Sequence, residues 1–224
     1  MTIYERAMEM IADGFRVGLG SGRAASAFVR LLGERLRAGR LRIQGVPTSE
    51  ATAGLAREVG IPLVALADAG ELDITVDGAD EVDPRLDLIK GYGRALVREK
   101  IVAASSKRLV ILVGEEKLVE RLGSRGKLPV EVVPFALPLC QRRLMKLGMR
   151  PFAYEENGKL FRTDNGNHIL DCGIAPIPDA AALDCDLNLI PGVVGTGLFI
   201  GMADEVLIGT GDDFRQVEER RRKL

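Results

Sequence analysis

The chain has no tryptophan, one histidine and three cysteines, and aromatic residues make up only 4% of its 224 positions. The thiols Cys140, Cys172 and Cys185 are odd in number and no pair has metal-ligand spacing. That argues against a disulfide framework or a zinc site and for free thiols in a reducing compartment. Charge of one sign is also missing: 31 basic residues face 32 acidic ones, for a formal net charge of −1. Such a balance draws in neither nucleic acid nor an anionic membrane, although a local field can still hold a phosphate. No apolar run reaches the about 18 residues of a membrane span. The opening MTIYERAMEMIADG has no apolar core or cleavage-site pattern, so the expected location is the cytoplasm. What the chain does have is 46% hydrophobic residues, enough for the core of one large domain or two closely joined smaller ones.

Short β-like runs alternate with helical periodicity through the first two-thirds. A helix is expected over 2–12, then a strand Phe15–Leu19 running into Gly20-Ser21-Gly22. A helix over 23–37 follows, with Ala24, Ala27, Phe28, Leu31 and Leu32 at helical spacing. Ile43–Val46 reads as a strand, Thr48-Ser49 as a cap, and Glu50–Val59 as a helix closed by Gly60. Ile61–Leu66, Leu72–Val76 and Leu109–Val113 read as strands, and 94–105 and Glu115–Leu122 as helices. This alternation predicts a mainly parallel sheet covered by helices, with ligands bound beyond the carboxyl ends of its strands. The texture changes near Pro129: a strand at 130–133, a helix at 136–147, a hairpin over 151–171 around Glu156-Asn157-Gly158, a helix at 179–189 and a strand at 193–200. Glu205–Ile208 and a charged helix from Asp212 read as a return to the first pattern. The expected organisation is an α/β domain of residues 1–128 and 204–224 with a small α+β domain of residues 129–203.

Three segments carry candidate chemistry. VGLGSGRAASAF, 17–28, is a strand, a glycine-rich turn and a helix start, where N–H groups and the helix dipole can converge on an anion. A dinucleotide site would want an acid after the second strand, and Gly45-Val46-Pro47-Thr48 stands there instead. A monophosphate is the better guest, with Arg23 adding a charge-assisted contact. Asp77-Gly78-Ala79-Asp80-Glu81 follows the strand LDITV and crowds three carboxylates into five residues, which is costly unless cations or a ligand hold them. Lys90-Gly91-Tyr92-Gly93-Arg94 sets glycines beside a lysine, letting a small ligand approach the backbone. Glu99 lies in the following helix between Arg98 and Lys100. Together the three fit a carbonyl shift between adjacent sugar carbons: a carboxylate base, an ammonium for the enediolate oxygen and further carboxylates, with no metal or cofactor required.

The order and spacing of these motifs resemble the A-type ribose-5-phosphate isomerase family. The resemblance rests on DGADE (77–81), KGYG (90–93), REKI (98–101), LPVEVVPFA (128–136), TDNGN (163–167) and IPGVVGTGLF (190–199), and spans nearly the whole chain. It implies a Rossmann-like domain with a second, smaller α+β domain, a phosphosugar substrate and a homodimer or homotetramer. By motif match, Glu99 corresponds to the proton-transferring base and Lys90 to the lysine that stabilises the enediolate. Asp77 and Asp80 correspond to the paired aspartates of ring opening and hydroxyl binding. Ser21, Gly22, Arg23 and Ala24 correspond to the phosphate loop and Lys117, in GEEK, to a further substrate lysine. Gly78, Ala79, Gly91, Tyr92 and Gly93 fall within the matching substrate loops. Two departures stand out. The family loop usually reads GTGST, whereas Arg23 and Ala24 here replace two hydroxyls. The family run KGGGG is interrupted by Tyr92 and Arg94. They keep open an isomerase of another phosphosugar, or a non-catalytic sugar-phosphate sensor. His168 and TDNGN read as structural.

Overall fold

The computed structural model describes residues 1–39, 41–211 and 214–222. In chain order the elements are α1 Ile3–Met8, β1 Arg16–Leu19, α2 Arg23–Arg37, β2 Gln44–Pro47, α3 Glu50–Glu58, α4 Leu66–Ala69, β3 Ile74–Gly78, β4 Glu81–Val82, β5 Leu88–Ile89, α5 Leu96–Ala104 and β6 Leu109–Gly114. There follow β7 Lys127–Val132, α6 Leu137–Lys146, β8 Arg150–Ala153, β9 Glu155–Glu156, β10 Lys159–Leu160, β11 His168–Gly173, α7 Ala180–Asn188, β12 Val193–Thr196, β13 Leu198–Phe199, β14 Glu205–Thr210 and β15 Gln216–Arg221. They form two compact units: Met1–Ala79 with Arg98–Lys117 and Met202–Leu224, and Asp80–Val97 with Leu118–Gly201.

The first unit is built on a six-stranded sheet in the order β15-β14-β6-β3-β1-β2. All pairings are parallel except β14–β15. The helices owe their places to apolar periodicity. In α2, Ala25, Phe28, Val29, Leu32 and Gly33 are buried, and Phe28, Val29 and Leu32 share a core with Ile3, Leu19, Val76 and Leu112. β6, LVILVG, is buried throughout, as a strand covered on both faces must be. The order of strands reverses at β1, which pairs with β2 on one side and β3 on the other. The carboxyl ends of those strands are where such a sheet receives a ligand.

The second unit holds a four-stranded antiparallel sheet, β12-β7-β11-β8, a three-stranded sheet, β13-β5-β4, and the β9–β10 hairpin at Asn157-Gly158. Residues 80–97 and 118–128 therefore lie with the second unit and not with the first, as the sequence suggested. The reason is packing: β4 and β5 pair with each other and β5 with β13, while Ile89, Leu122 and Leu128 share one core with Val130, Leu170 and Leu198.

Three elements differ from expectation. Ile61–Leu66 gives a single bridge, Gly45–Leu63, before α4, since Pro62 has no N–H for a ladder. Glu115–Leu122 is helical only as a 3-10 turn over Glu115–Lys117. The next residues leave for the second unit, where Val119 N–H donates to Val82 O at 2.9 Å. The charged segment after Gly211 is the strand β15, with Asp212, Asp213 and Lys223 outside the described residues. Good helix formers yield there to the open edge of β14, and Arg221 pairs with Glu205 at 3.4 Å.

Candidate active site

In the first unit the candidate residues gather at the carboxyl ends of β1 and β3. Asp77, 1% exposed, ends β3 with its side chain against the loop that follows β1. Its Oδ1 accepts the N–H of Ser21 at 3.1 Å and of Gly78 at 2.7 Å. The approach requires glycine at position 20: a Cβ there would sit 2.3 Å from Asp77 Oδ1 and 2.6 Å from its Cα. Gly22, at φ 91°, turns the chain into α2 with no side-chain cap. The first-turn N–H groups, beginning with Arg23 and Ala24, thus carry no intrahelical partner. The Arg23 side chain is exposed, and its charge acts against the burial that raises the Tyr4 phenol.

Glu99, 4% exposed, is in α5. Val102, on the same face one turn later, packs over Gly18 of β1, where an added Cβ would meet it at 2.7 Å. α5 leads into β6, which runs parallel to β3 and, through β3, to β1. One turn back towards the start of α5 brings Glu99 level with the strand ends that carry Gly20 and Asp77. Lys117, half-buried, closes the turn after β6.

In the second unit, Lys90 is 2% exposed and follows β5. Its N–H donates to Gly197 O at 2.8 Å, and its Nζ lies 5.4 Å from the Phe199 ring centre. Asp80 Oδ2 accepts the Tyr92 N–H at 2.9 Å, which joins the acidic motif to the 90–94 run. Tyr92 in turn donates its hydroxyl to Lys127 O at 3.1 Å, with Lys127 Nζ 3.9 Å from its ring centre. Burial first, then the charges of Glu81 and Asp80, push this phenol well up, so it stays protonated. Gly91 is at φ 106°; Gly93 is exposed.

The three crowded carboxylates thus diverge, each onto backbone donors. Glu81, fully buried, takes the N–H of Gly123 at 2.6 Å and of Arg125 at 2.8 Å, anchoring a loop of its own unit. Among the described residues no group of three or more His, Cys, Asp or Glu is arranged to hold a metal. His168 is buried with Nδ1 2.7 Å from Phe161 O, and TDNGN wraps the buried Glu131, whose Oε1 accepts from Thr163, Asn165 and Asn167.

Two features had little signal in the sequence. Arg94 is in the left-handed region, φ 71°, held by a fork to Asp171 at 2.6 and 2.9 Å with its guanidinium 3.7 Å from the Tyr154 ring centre. The hydroxyls of Ser21, Thr48, Ser49 and Thr52 form one cluster, although Thr48-Ser49 read only as a cap.

The family model of ribose 5-phosphate isomerase A (phosphoriboisomerase A) matches residues 44–213. A ribose-5-phosphate isomerase A of Roseiflexus castenholzii is 52% identical over 216 residues, 96% of this chain and 92% of that protein. The chain belongs to the ribose 5-phosphate isomerase A family. Among solved members of the family, ribose 5-phosphate isomerase A from Methanocaldococcus jannaschii has a TM-score of 0.92 at 39% identity, covering 98% of this chain and 96% of that one. A D-ribose-5-phosphate isomerase in complex with phospho-erythronic acid has a TM-score of 0.93 at 38% identity, with coverage of 98% and 96%. The left-handed backbone at Arg94 is one that glycine adopts without steric cost.

Proposed function

We propose that this chain interconverts ribose 5-phosphate and ribulose 5-phosphate through an enediolate. The observation that carries the reading is the burial of Glu99, Lys90 and Asp77, ionisable side chains of the matching motifs at 4%, 2% and 1% exposure. Burial of charge is costly, and chemistry is a common reason to retain it. Glu99 takes the proton from C2 of the open-chain aldose. The C–H electron pair becomes the C1–C2 double bond and the carbonyl pair moves to O1. The same carboxyl returns the proton to C1 as the carbonyl forms at C2 and the O2 proton passes to O1. Lys90 stabilises the oxyanion, and Asp77 and Asp80 serve ring opening and hydroxyl binding. Gly78, Ala79, Gly91, Tyr92 and Gly93 line the sugar, while Lys117 and the N–H groups after Gly22, with Arg23, take the phosphate. Phospho-erythronic acid, held by the related isomerase, suits this scheme: its carboxylate presents two oxygens as a planar enediolate does.

The test is Glu99→Gln beside Lys90→Ala. Glu99→Gln should cut turnover by orders of magnitude with KM little changed, because the base acts in the transition state. Lys90→Ala should add about 3 kcal/mol to the barrier, as loss of an oxyanion donor does. Near-normal turnover by Glu99→Gln would remove the assignment. Turnover on a panel of aldose phosphates decides the sugar, and light scattering decides between homodimer and homotetramer. Among the described residues no helix is long and apolar enough to cross a membrane; a cytoplasmic place in pentose phosphate metabolism belongs to the same proposal.

A further inference from the structure

We infer that Thr52, with Ser49 and Ser21, is a positioning residue that holds Asp77 through the phosphate loop; the inference rests on the isomerase reading. Four hydroxyls, those of Ser21, Thr48, Ser49 and Thr52, meet at the carboxyl ends of β1 and β2, and the last three are buried. Ser21 Oγ also lies 2.8 Å from Thr48 Oγ1 and 3.1 Å from Thr52 Oγ1, where either oxygen can donate; the remaining contacts are directed. Ser21 Oγ donates to Ser49 Oγ at 2.8 Å, Ser49 Oγ to Thr52 Oγ1 at 3.0 Å, and Thr52 Oγ1 to Gly20 O at 3.0 Å. Thr48 Oγ1 donates to Leu19 O at 3.1 Å. The relay therefore begins and ends on adjacent residues of one loop and is fixed in the middle to the first turn of α3, where Ser49 Oγ also caps the Thr52 N–H at 3.1 Å.

Ser21 has its hydroxyl proton on Ser49 and its N–H on Asp77 Oδ1. Both groups are engaged inside the unit, so a phosphate reaching for either would have to displace one of these bonds. The anion is left to the N–H groups after Gly22 and to Arg23. Ser21 instead links two functions: the loop that receives the phosphate is the loop whose N–H orients the buried Asp77. Phosphate docking then helps to aim the carboxylate, so that binding energy from the unreactive end of the substrate is used at the reacting end. Thr52 holds the loop by the carbonyl just before Ser21, which makes it the anchor of that coupling.

The test compares Thr52→Val, which keeps the shape and removes the hydroxyl, with Thr52→Ser, which keeps the hydroxyl and removes the methyl. Thr52→Val should lower kcat by roughly tenfold with KM moved less than threefold, and Thr52→Ser should stay near wild type. Equal losses in both variants would assign the effect to methyl packing. A rise in KM alone would assign it to phosphate binding, and no change would leave the relay without a role; each overturns the inference. A wild-type chain inactive on ribose 5-phosphate would instead defeat the isomerase reading. The relay is then judged on a crystal structure of Thr52→Val. The 3.1 Å contact from Ser21 N to Asp77 Oδ1 is expected to open past hydrogen-bond range, and its survival overturns the inference. Should Thr52→Val fail to fold, Ser49→Ala interrupts the same relay and is read by the same kcat-against-KM split and the same contact.

Discussion

Replacing Arg94 by glycine sets a backbone gain against a side-chain loss. Arg94 sits at φ 71°, a conformation that costs a non-glycine residue about 1 kcal/mol or more. Glycine relieves that cost, but it gives the unfolded chain freedom worth about 0.5–1 kcal/mol, so the backbone account nearly cancels. The side chain decides. Its fork to Asp171 is short, 2.6 and 2.9 Å, and the two side chains are 13% and 18% exposed, so solvent screens the pair little. Charge-assisted hydrogen bonds of this kind contribute about 1.5–3 kcal/mol, and the stack on Tyr154 adds about 0.5–1 kcal/mol. Lys127 Nζ, 3.8 Å from Asp171 Oδ2, keeps the carboxylate from being left without a cation and trims the loss. A net destabilisation of about 2 kcal/mol follows, a fall in the urea midpoint on the order of 1 M. In a double-mutant cycle with Asp171→Asn the coupling should exceed about 1 kcal/mol. An Arg94→Gly protein as stable as wild type, or a coupling near zero, would refute the reasoning and make the arginine a strained substitute for a better glycine.

Gly20→Ala must push its new Cβ into Asp77, at 2.3 Å from Oδ1, so turnover should drop by roughly a hundredfold while circular dichroism shows a folded chain. Cys185 is exposed, whereas Cys140 and Cys172 are buried, and burial pushes the Cys172 thiol up to about 12. A thiol reagent at pH 8 should therefore titrate Cys185 quickly and the other two only after denaturation. Asp73 is held below the ordinary carboxylate range, first by the Arg16 N–H and then by Lys107. Its contribution to stability is full above the unfolded-state pKa of about 4 and is lost as pH falls through the lower folded value, so Asp73→Asn should flatten the acid limb of a stability–pH curve.

How far the sequence can be read depends on how local the deciding physics is. The strand-turn-helix at 16–37 was legible because its signals are consecutive: an apolar run, Gly20-Ser21-Gly22, then a 3.6-residue stripe. Asp77 and Lys90 stood out because ionisable groups beside glycines or at strand ends are chemically conspicuous, whereas Glu99, inside a charged helical run, was marked by the family match, which adds roles that spacing alone does not give. The hydroxyl relay was hidden because its members are common capping residues, and Ser21 meets Thr52 only after β1 and β2 pair. The strand at 216–221 was hidden for the same reason: glutamate and arginine favour a helix locally, and only the free edge of β14 overrules them. Glu81 carries the point furthest. In sequence it is indistinguishable from its neighbours in DGADE, and it differs from Asp77 and Asp80 only in which backbone N–H groups the fold brings to it. Those of Gly123 and Arg125, more than forty residues later, make it an anchor. The N–H groups of Ser21 and Tyr92 reach Asp77 and Asp80 from the loops that match the family's substrate contacts. Within one acidic motif, then, the partners supplied by the fold separate two carboxylates held by the loops of the family match from one that anchors a loop of its own unit.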